Sequence, residues 1–456
     1  MSGTPAAGGA AGPRPLLSVL DTVAIVVGIV VGAGIFKMPS LVAAQAAGSA
    51  GHVILAWVVG GAVSLIGALC YAELASAFPN AGGEYHFLTR AYGRSLGFLF
   101  AWARMVIIQT GSIALLAYVF GDYAASVLPL GPEGPAIFAV LAVAALTGLN
   151  LAGLRHSATT QDLLVCVTIT GLLAIVVVGF SLESAPAAPA AQAGGESPAG
   201  FSASGFGLAM VFVLLTYGGW NEAAYISAEL RDVRRNMARA LVLSIGIITA
   251  LYLAVNLAYI HALGVDGMAR TEAVASDLMR AALGGGGALF VSALVALVAL
   301  TSINVTIITG ARTNYALAQD FALFGFLGRW NARTGTPTSA LWLQGGIAIV
   351  LILYAAVDRR GFETVVEYIS PAFWSFMLLT GLSLFVLRRR DPDAPRPFRV
   401  PLYPLTPALL CLSAGYLLYS SIVYTGEGAL VGLAVLLSGI PLLLVARRPR
   451  RRPASG

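Results

Sequence analysis

The sequence predicts an all-α polytopic membrane protein of about twelve transmembrane helices. Composition, the length of the apolar runs and the placement of the arginines each point there. Hydrophobic residues make up 58% of the chain and charged residues 11%, so lipid must be the solvent for most of it. Runs of roughly 20 apolar residues, each able to cross about 30 Å of hydrocarbon as a helix, recur along almost the whole length. Orienting the first crossing from inside to outside gathers Arg90, Arg94, Arg155, Arg231, Arg234, Arg235, Arg239, Arg329, Arg333, the Arg388 to Arg399 group and the Arg447 to Arg452 tail on one side. The other side holds Asp122, Glu133, Glu183, Glu196, Asp266, Glu272, Asp277 and Glu427, with only Arg270, Arg280, Arg359 and Arg360 as basic members. By the positive-inside rule this protein of the cytoplasmic (inner) membrane has both termini in the cytoplasm. The net charge of +6 then reflects topology and implies no nucleic-acid partner.

In order along the chain, residues 1–15 form a Gly/Ala/Pro-rich disordered tail with no cleavable apolar core. The expected spans are 16–47, 53–78, 95–128, 135–154, 159–181, 204–230, 238–264, 286–318, 337–357, 363–388, 404–424 and 427–446. They form one transmembrane domain, 16–446, because no long polar stretch could fold as a separate unit. The external loop Ser181 to Gly200 is rich in Ala, Pro, Gly and Ser and falls midway through the first ten spans. It divides repeat one, 16–181, from repeat two, 204–388, leaving two extra helices over 404–446 and a basic tail, 447–456. Cys70, Cys166 and Cys411 lie far apart in apolar runs and share no ligand spacing with the four histidines. Neither a disulfide, a metal site nor a cofactor is expected.

Two spans contain clustered glycines. The first carries Gly28 and the run Gly32-Ala33-Gly34-Ile35-Phe36, with Pro39 close behind; the sixth carries Tyr217-Gly218-Gly219-Trp220-Asn221. Glycine is poor in helix interiors, so the clusters favour local unwinding at mid-membrane depth. Backbone freed there must face protein, water or a ligand. First and sixth are equivalent positions in two five-helix halves entering from opposite sides, the inverted-repeat pattern in which half-helix ends build a midplane site. Amides opening the outer half of the first span suit a carboxylate, and carbonyls freed in both breaks suit an ammonium group. Together they describe an α-amino acid. Close packing of small residues is the competing reading of either cluster alone.

The run Gly32 to Phe36, the stretch Ala72-Glu73-Leu74 through Pro79, Gly82-Gly83-Glu84-Tyr85, and Tyr217 to Asn221 with Ala228-Glu229-Leu230-Arg231-Asp232 resemble the amino acid-polyamine-organocation (APC) superfamily, and within it the L-amino-acid transporter-like permeases. The resemblance covers nearly the whole chain. It implies a five-plus-five inverted-repeat fold with discontinuous helices 1 and 6, two extra helices, and secondary active transport of amino acids by alternating access. By position, the amides near Ala33, Gly34 and Ile35 would take the substrate carboxylate, the carbonyls near Ile29, Tyr217 and Gly218 its ammonium, and Asn221 would line the pocket. Two positions depart from the family. Leu215 stands where relatives often carry a gating aromatic, which passes closure to Tyr217 or Trp220. Thr168 stands where many carry a lysine, which leaves Thr168, Thr301 and Ser302 as coupling candidates and exchange, proton coupling and sodium coupling as candidate mechanisms.

Ionisable groups at membrane depth are functional candidates by default. Asp21, Glu73, Arg104 and Arg312 are expected near the cytoplasmic face or paired locally. Glu222, directly after Asn221, is expected beside the site, contacting a polar or cationic substrate, carrying a proton or pairing with a neighbour. Other functions fit less well. A related organic amine or polyamine is the nearest alternative. A membrane-embedded enzyme lacks a converging set of nucleophile, base or metal ligands, and a channel lacks a pore loop or charge ring.

Overall fold

The computed structural model describes residues 13–184, 203–271, 273–358 and 370–446, and among these every regular element is helical. The helices are α1 (Val19–Val30), α2 (Gly34–Ala44), α3 (Ala50–Ala77), α4 (Glu84–Tyr92), α5 (Arg94–Ala103), α6 (Gln109–Val127), α7 (Gly134–Ala152), α8 (Leu154–Ser181) and α9 (Ala203–Thr216). They continue as α10 (Val233–Ala269), α11 (Val274–Leu283), α12 (Gly285–Asp320), α13 (Thr338–Val357), α14 (Ser370–Arg390), α15 (Leu405–Thr425) and α16 (Ala429–Ala446). A π-helical turn, Arg104–Ile108, joins α5 to α6 in one long span, and a 3₁₀ segment, Trp220–Ile226, follows α9. Most of the expected 181–200 loop and both tails, with Glu196, Glu272, Arg359, Arg360 and the Arg447 to Arg452 group, lie outside the described residues.

Ten helices among the described residues are long and apolar enough to cross a membrane, and α1 with α2 makes an eleventh span bent by 51°. Fourteen residues of α9 rise only about 21 Å, too short for a crossing, and the 3₁₀ segment completes the twelfth path. The protein is therefore a multi-pass helical membrane protein. The most extensive packing pairs α10 with α3 and α12 with α6, and α13 also packs on α7. Small residues permit the close crossings: a β-carbon on Gly61 of α3 would stand 2.6 Å from Thr249 Oγ1 of α10.

The buried charges sharpen the sequence reading. Asp21 caps α1 in a reciprocal box with Ser18, its carboxylate accepting from the Ser18 amide at 2.6 Å. Glu73 accepts from Arg388 at 2.5 and 2.8 Å and from the Val400 amide at 2.7 Å, tying α3 to α14 and the segment beyond it. Of the two expectations for Arg104, the cytoplasmic face or a pairing, the structure has a pairing. Arg104 is 2% exposed and donates through Nη2 to both oxygens of Glu222 at 2.6 and 2.8 Å. Arg312 is likewise inside, in a two-pronged pair with fully buried Glu229 at 2.5 and 2.7 Å. Both arginines are held inside by carboxylate partners on the segment after α9.

Candidate substrate site between two helix breaks

The chain opens twice, and the two openings meet. α1 ends at Val30, Val31 leaves helical geometry, and α2 restarts at Gly34. Among the described residues no backbone carbonyl takes the amides of Ala33, Gly34 or Ile35, as is usual for a helix start. α9 ends at Thr216, and Gly219 adopts φ +112°, a conformation that favours glycine, before the 3₁₀ segment begins. A β-carbon on Gly219 would lie in ordinary contact with Ile29, 3.4 Å from its side chain and 3.5 Å from its carbonyl oxygen, so the two segments are neighbours and it is the positive φ that calls for glycine.

One hydroxyl spans both openings. Tyr252 of α10, fully buried, lies 2.8 Å from the Val30 carbonyl and 3.2 Å from the Thr216 carbonyl, the last residues of α1 and α9. Behind it Trp57, Tyr217 and Tyr252 form an aromatic trio with ring centroids 5.0 to 6.0 Å apart. The sequence reading missed Tyr252, since a tyrosine in an apolar run carries no signal of what its hydroxyl reaches.

A cavity of about 330 Å³ is lined by Ile29, Gly218, Gly219, Asn221, Glu222 and Arg104, its wall completed by Ile107, Gln109, Leu215, Thr306 and Phe373. That volume is in the range of small-molecule sites. A second cavity of about 240 Å³ lies across the Gly218 to Asn221 segment, against Ser64, Leu215, Trp220, Trp374 and Met377. Thus Ile29, Gly218, Asn221 and Glu222 converge on one cavity, and Leu215 faces both. Other candidates stand apart. Tyr217 is buried behind the break with its hydroxyl on the Trp57 carbonyl at 3.2 Å, and Ile35 is fully buried. A β-carbon on Gly34 would meet Thr216 at 3.2 Å, and Ala33 lines a separate cavity with Phe36, Lys37 and Tyr123. Trp220 packs edge-on against Tyr71, over Gly67.

The three coupling candidates do not share a hydrogen-bonded cluster. Ser302 donates to the Gly28 carbonyl at 3.2 Å, joining α12 to α1, while Thr301 donates within its own helix to Leu297 at 2.9 Å. The Thr168 hydroxyl is buried without a hydrogen-bond partner. Such interhelical hydroxyls are ordinary glue in membrane bundles.

A twelve-path helical membrane bundle whose two interrupted spans meet at an internal cavity defines the class. Within it, the amino acid permease family model matches residues 17–444, and the chain belongs to that family. It is similar to large neutral amino acids transporter small subunit 2 of Mus musculus, 29% identical over 461 residues that cover 98% of this chain and 83% of the relative. It also resembles b(0,+)-type amino acid transporter 1 of Homo sapiens, 28% identical with 89% and 82% covered. Asc-type amino acid transporter 1 of Mus musculus matches at 29% identity, with 96% and 82% covered.

Proposed function

We propose that this protein is a secondary active transporter of amino acids, acting by alternating access in the cytoplasmic membrane with both termini inside. The observation carrying the proposal is that the break after α9 and the end of α1, through Ile29, meet on one cavity. The helix-start amides of Ala33, Gly34 and Ile35, which no backbone carbonyl takes among the described residues, suit a carboxylate, and the Ile29 and Gly218 carbonyls at the cavity, with that of Tyr217 beside them, suit an ammonium; the Ala33, Ile35 and Tyr217 side chains lie outside the cavity. Packing of α10 on α3, α12 on α6 and α13 on α7 pairs the second, third and fourth spans with the seventh, eighth and ninth, supporting two inverted repeats over 16–181 and 204–388. The relatives' names support amino acids as the cargo.

A zwitterion fits better than a polyamine. Among the described residues the one carboxylate lining the cavity, Glu222, already holds Arg104, so none of them offers a free negative charge to a second ammonium group. The remaining wall joins apolar Ile107, Leu215 and Phe373 to uncharged Gln109, Ser112 and Thr306 and suits a neutral side chain.

The test is uptake by proteoliposomes loaded with amino acid, then by empty vesicles under an inward proton gradient, then by empty vesicles under an inward sodium gradient. Uptake that requires internal amino acid is the expected result and identifies exchange. Accumulation in empty vesicles under either ion gradient replaces exchange with coupling to that ion, and no saturable uptake in any arm refutes transport.

A further inference from the structure

The Arg104–Glu222 pair belongs to a larger buried group whose formal charges do not balance. Glu84 opens α4, on the connection between α3 and α5, and its carboxylate is nearly inaccessible. Its Oε1 accepts from the Tyr71 hydroxyl, its Oε2 accepts from the Tyr225 hydroxyl at 2.5 Å, and Asn221 approaches at 3.5 Å. Arg104 lies between the two acids: its guanidinium stacks 4.0 Å over the Tyr225 ring, Nη2 binds Glu222, and Nη1 is 4.0 Å from Glu84 Oε2. Two carboxylates thus share one guanidinium, which is always charged. The other charged groups around α4 are engaged elsewhere. Arg90 pairs with Asp391, Asp320 of α12 takes the Tyr85 hydroxyl beside His86, Arg94 opens α5, and α14 offers Glu84's neighbour Tyr71 the uncharged Met377 sulfur and Thr380 hydroxyl.

A buried group left with a net charge is far costlier than one brought to neutrality by a proton. The hydrogen bonds accommodate that proton. With Glu84 Oε1 protonated, the Tyr71 hydroxyl accepts from it and turns its own hydrogen to Met377 Sδ, already 3.2 Å away. Glu84 does not line the 330 Å³ cavity whereas Glu222, Arg104 and Asn221 do, so a ligand reaches the pair directly and Glu84 only through Arg104 and Asn221.

We infer that Glu84, Arg104 and Glu222 form a proton-linked relay, in which the ammonium of a bound amino acid takes over the balancing of Glu222, Arg104 passes to Glu84 as its counter-charge, and one proton is expelled. The Glu84 O–H bond breaks, the proton passes to solvent, and Tyr71 turns back to donate to the new carboxylate. The relay rests on the transport reading, because its trigger is a substrate in that cavity. By linkage, a ligand that expels a proton binds more tightly as pH rises, by up to tenfold per pH unit for one proton, until Glu84 ionises unaided.

The test uses the purified full-length protein. The standard L-amino acids are screened by thermal shift, and the strongest stabiliser is titrated calorimetrically from about pH 5 to about pH 8 in buffers of different ionisation enthalpy. Wild type should release up to one proton per ligand, with affinity rising with pH. Glu84→Gln should release none and bind with a flat pH profile. Glu222→Gln, which leaves Arg104 free to pair with Glu84 beforehand, should also release none and serves if Glu84→Gln fails to fold. Asp320→Asn should behave as wild type. Ligand binding without proton release in wild type, or release that survives Glu84→Gln or is lost in Asp320→Asn, overturns the relay while leaving transport standing. Absence of any stabilising amino acid removes the transport reading and the relay with it.

Discussion

Removing either member of the Arg312–Glu229 pair should be among the most destabilising single changes in this protein. Glu229 is wholly inaccessible and Arg312 is 1% exposed; the fork makes two charge-assisted bonds at 2.5 and 2.7 Å, and Nη1 donates to the Ile308 carbonyl at 2.6 Å. Arg312→Ala strands a carboxylate in a dry interior, and Glu229→Ala strands a guanidinium. Each should cost about 3 to 5 kcal/mol. Arg312→Met with Glu229→Leu removes both charges at similar volume and should recover most of that loss, because desolvation of the pair offsets much of its attraction. The assay is a double-mutant cycle by reversible unfolding in mixed detergent micelles, with correct folding checked by size exclusion. A coupling energy above about 2 kcal/mol is expected. Single losses below about 1 kcal/mol, typical of exposed pairs, would refute the burial on which the reasoning depends.

Three further outcomes follow from the same contacts. Cysteines at Ser184 and Ser197, in a background without native cysteines, should react with an impermeant thiol reagent from outside intact cells, while one at Arg235 should be protected; Arg235 is exposed, whereas Met237 in the next turn is buried and unsuitable. The reverse labelling pattern would invert the orientation. Tyr252→Phe removes the hydroxyl shared by Val30 and Thr216, so it should weaken substrate binding roughly fivefold while lowering stability by about 1 kcal/mol; unchanged affinity would confine this tyrosine to packing. Gly34→Ala should be tolerated, its β-carbon 3.2 Å from Thr216, whereas Gly34→Val should abolish uptake in a folded protein, and wild-type uptake by the valine variant would remove Gly34 from the site.

The spans were legible because a bilayer imposes one length and one chemistry on every crossing, so Ala50–Ala77 or Thr338–Val357 can be read from composition alone. Both interruptions were visible for a related reason: Gly32, Gly34, Gly218 and Gly219 are local backbone signals that need no tertiary context. Partners of the buried charges were not legible. Arg104 and Glu222 are 118 residues apart, Arg312 and Glu229 are 83, and nothing local in either sequence neighbourhood names the other. Glu84 is the clearest case. It was read only as part of the Gly82-Gly83-Glu84-Tyr85 motif, although burial between two tyrosine hydroxyls makes it part of the floor behind the cavity.

The kinds of contact also divide by place. Packing joins α3 to α10 in one group with α1, α2 and α9, and α6 to α12 in another with α7 and α13. Within each group the contacts that dominate are apolar, as in the cluster around Val213, Trp57 and Tyr252 or the one around Ile113, Val143 and Ile307. Between the groups, beside a small apolar cluster joining Ile25 of α1 to Val305 and Ile308 of α12, run directional polar links: Arg104 to Glu222, Arg312 to Glu229, and Ser302 to the Gly28 carbonyl. The Glu229 carbonyl also takes the Leu16 and Leu17 amides at 2.9 Å, fastening the start of α1 to the same residue that holds α12. Apolar packing tolerates little relative displacement, because a close-packed surface loses its contacts within a fraction of an ångström. A few hydrogen-bonded pairs can instead be exchanged for water or for a ligand at modest net change in free energy. An alternating-access cycle that rocks one group on the other must therefore break these links in particular. Glu229 and Glu222 lie seven residues apart on the segment after α9 and face different arginines, so under the proposed transport cycle a ligand at Glu222 would act on the same segment that latches α1 through Glu229.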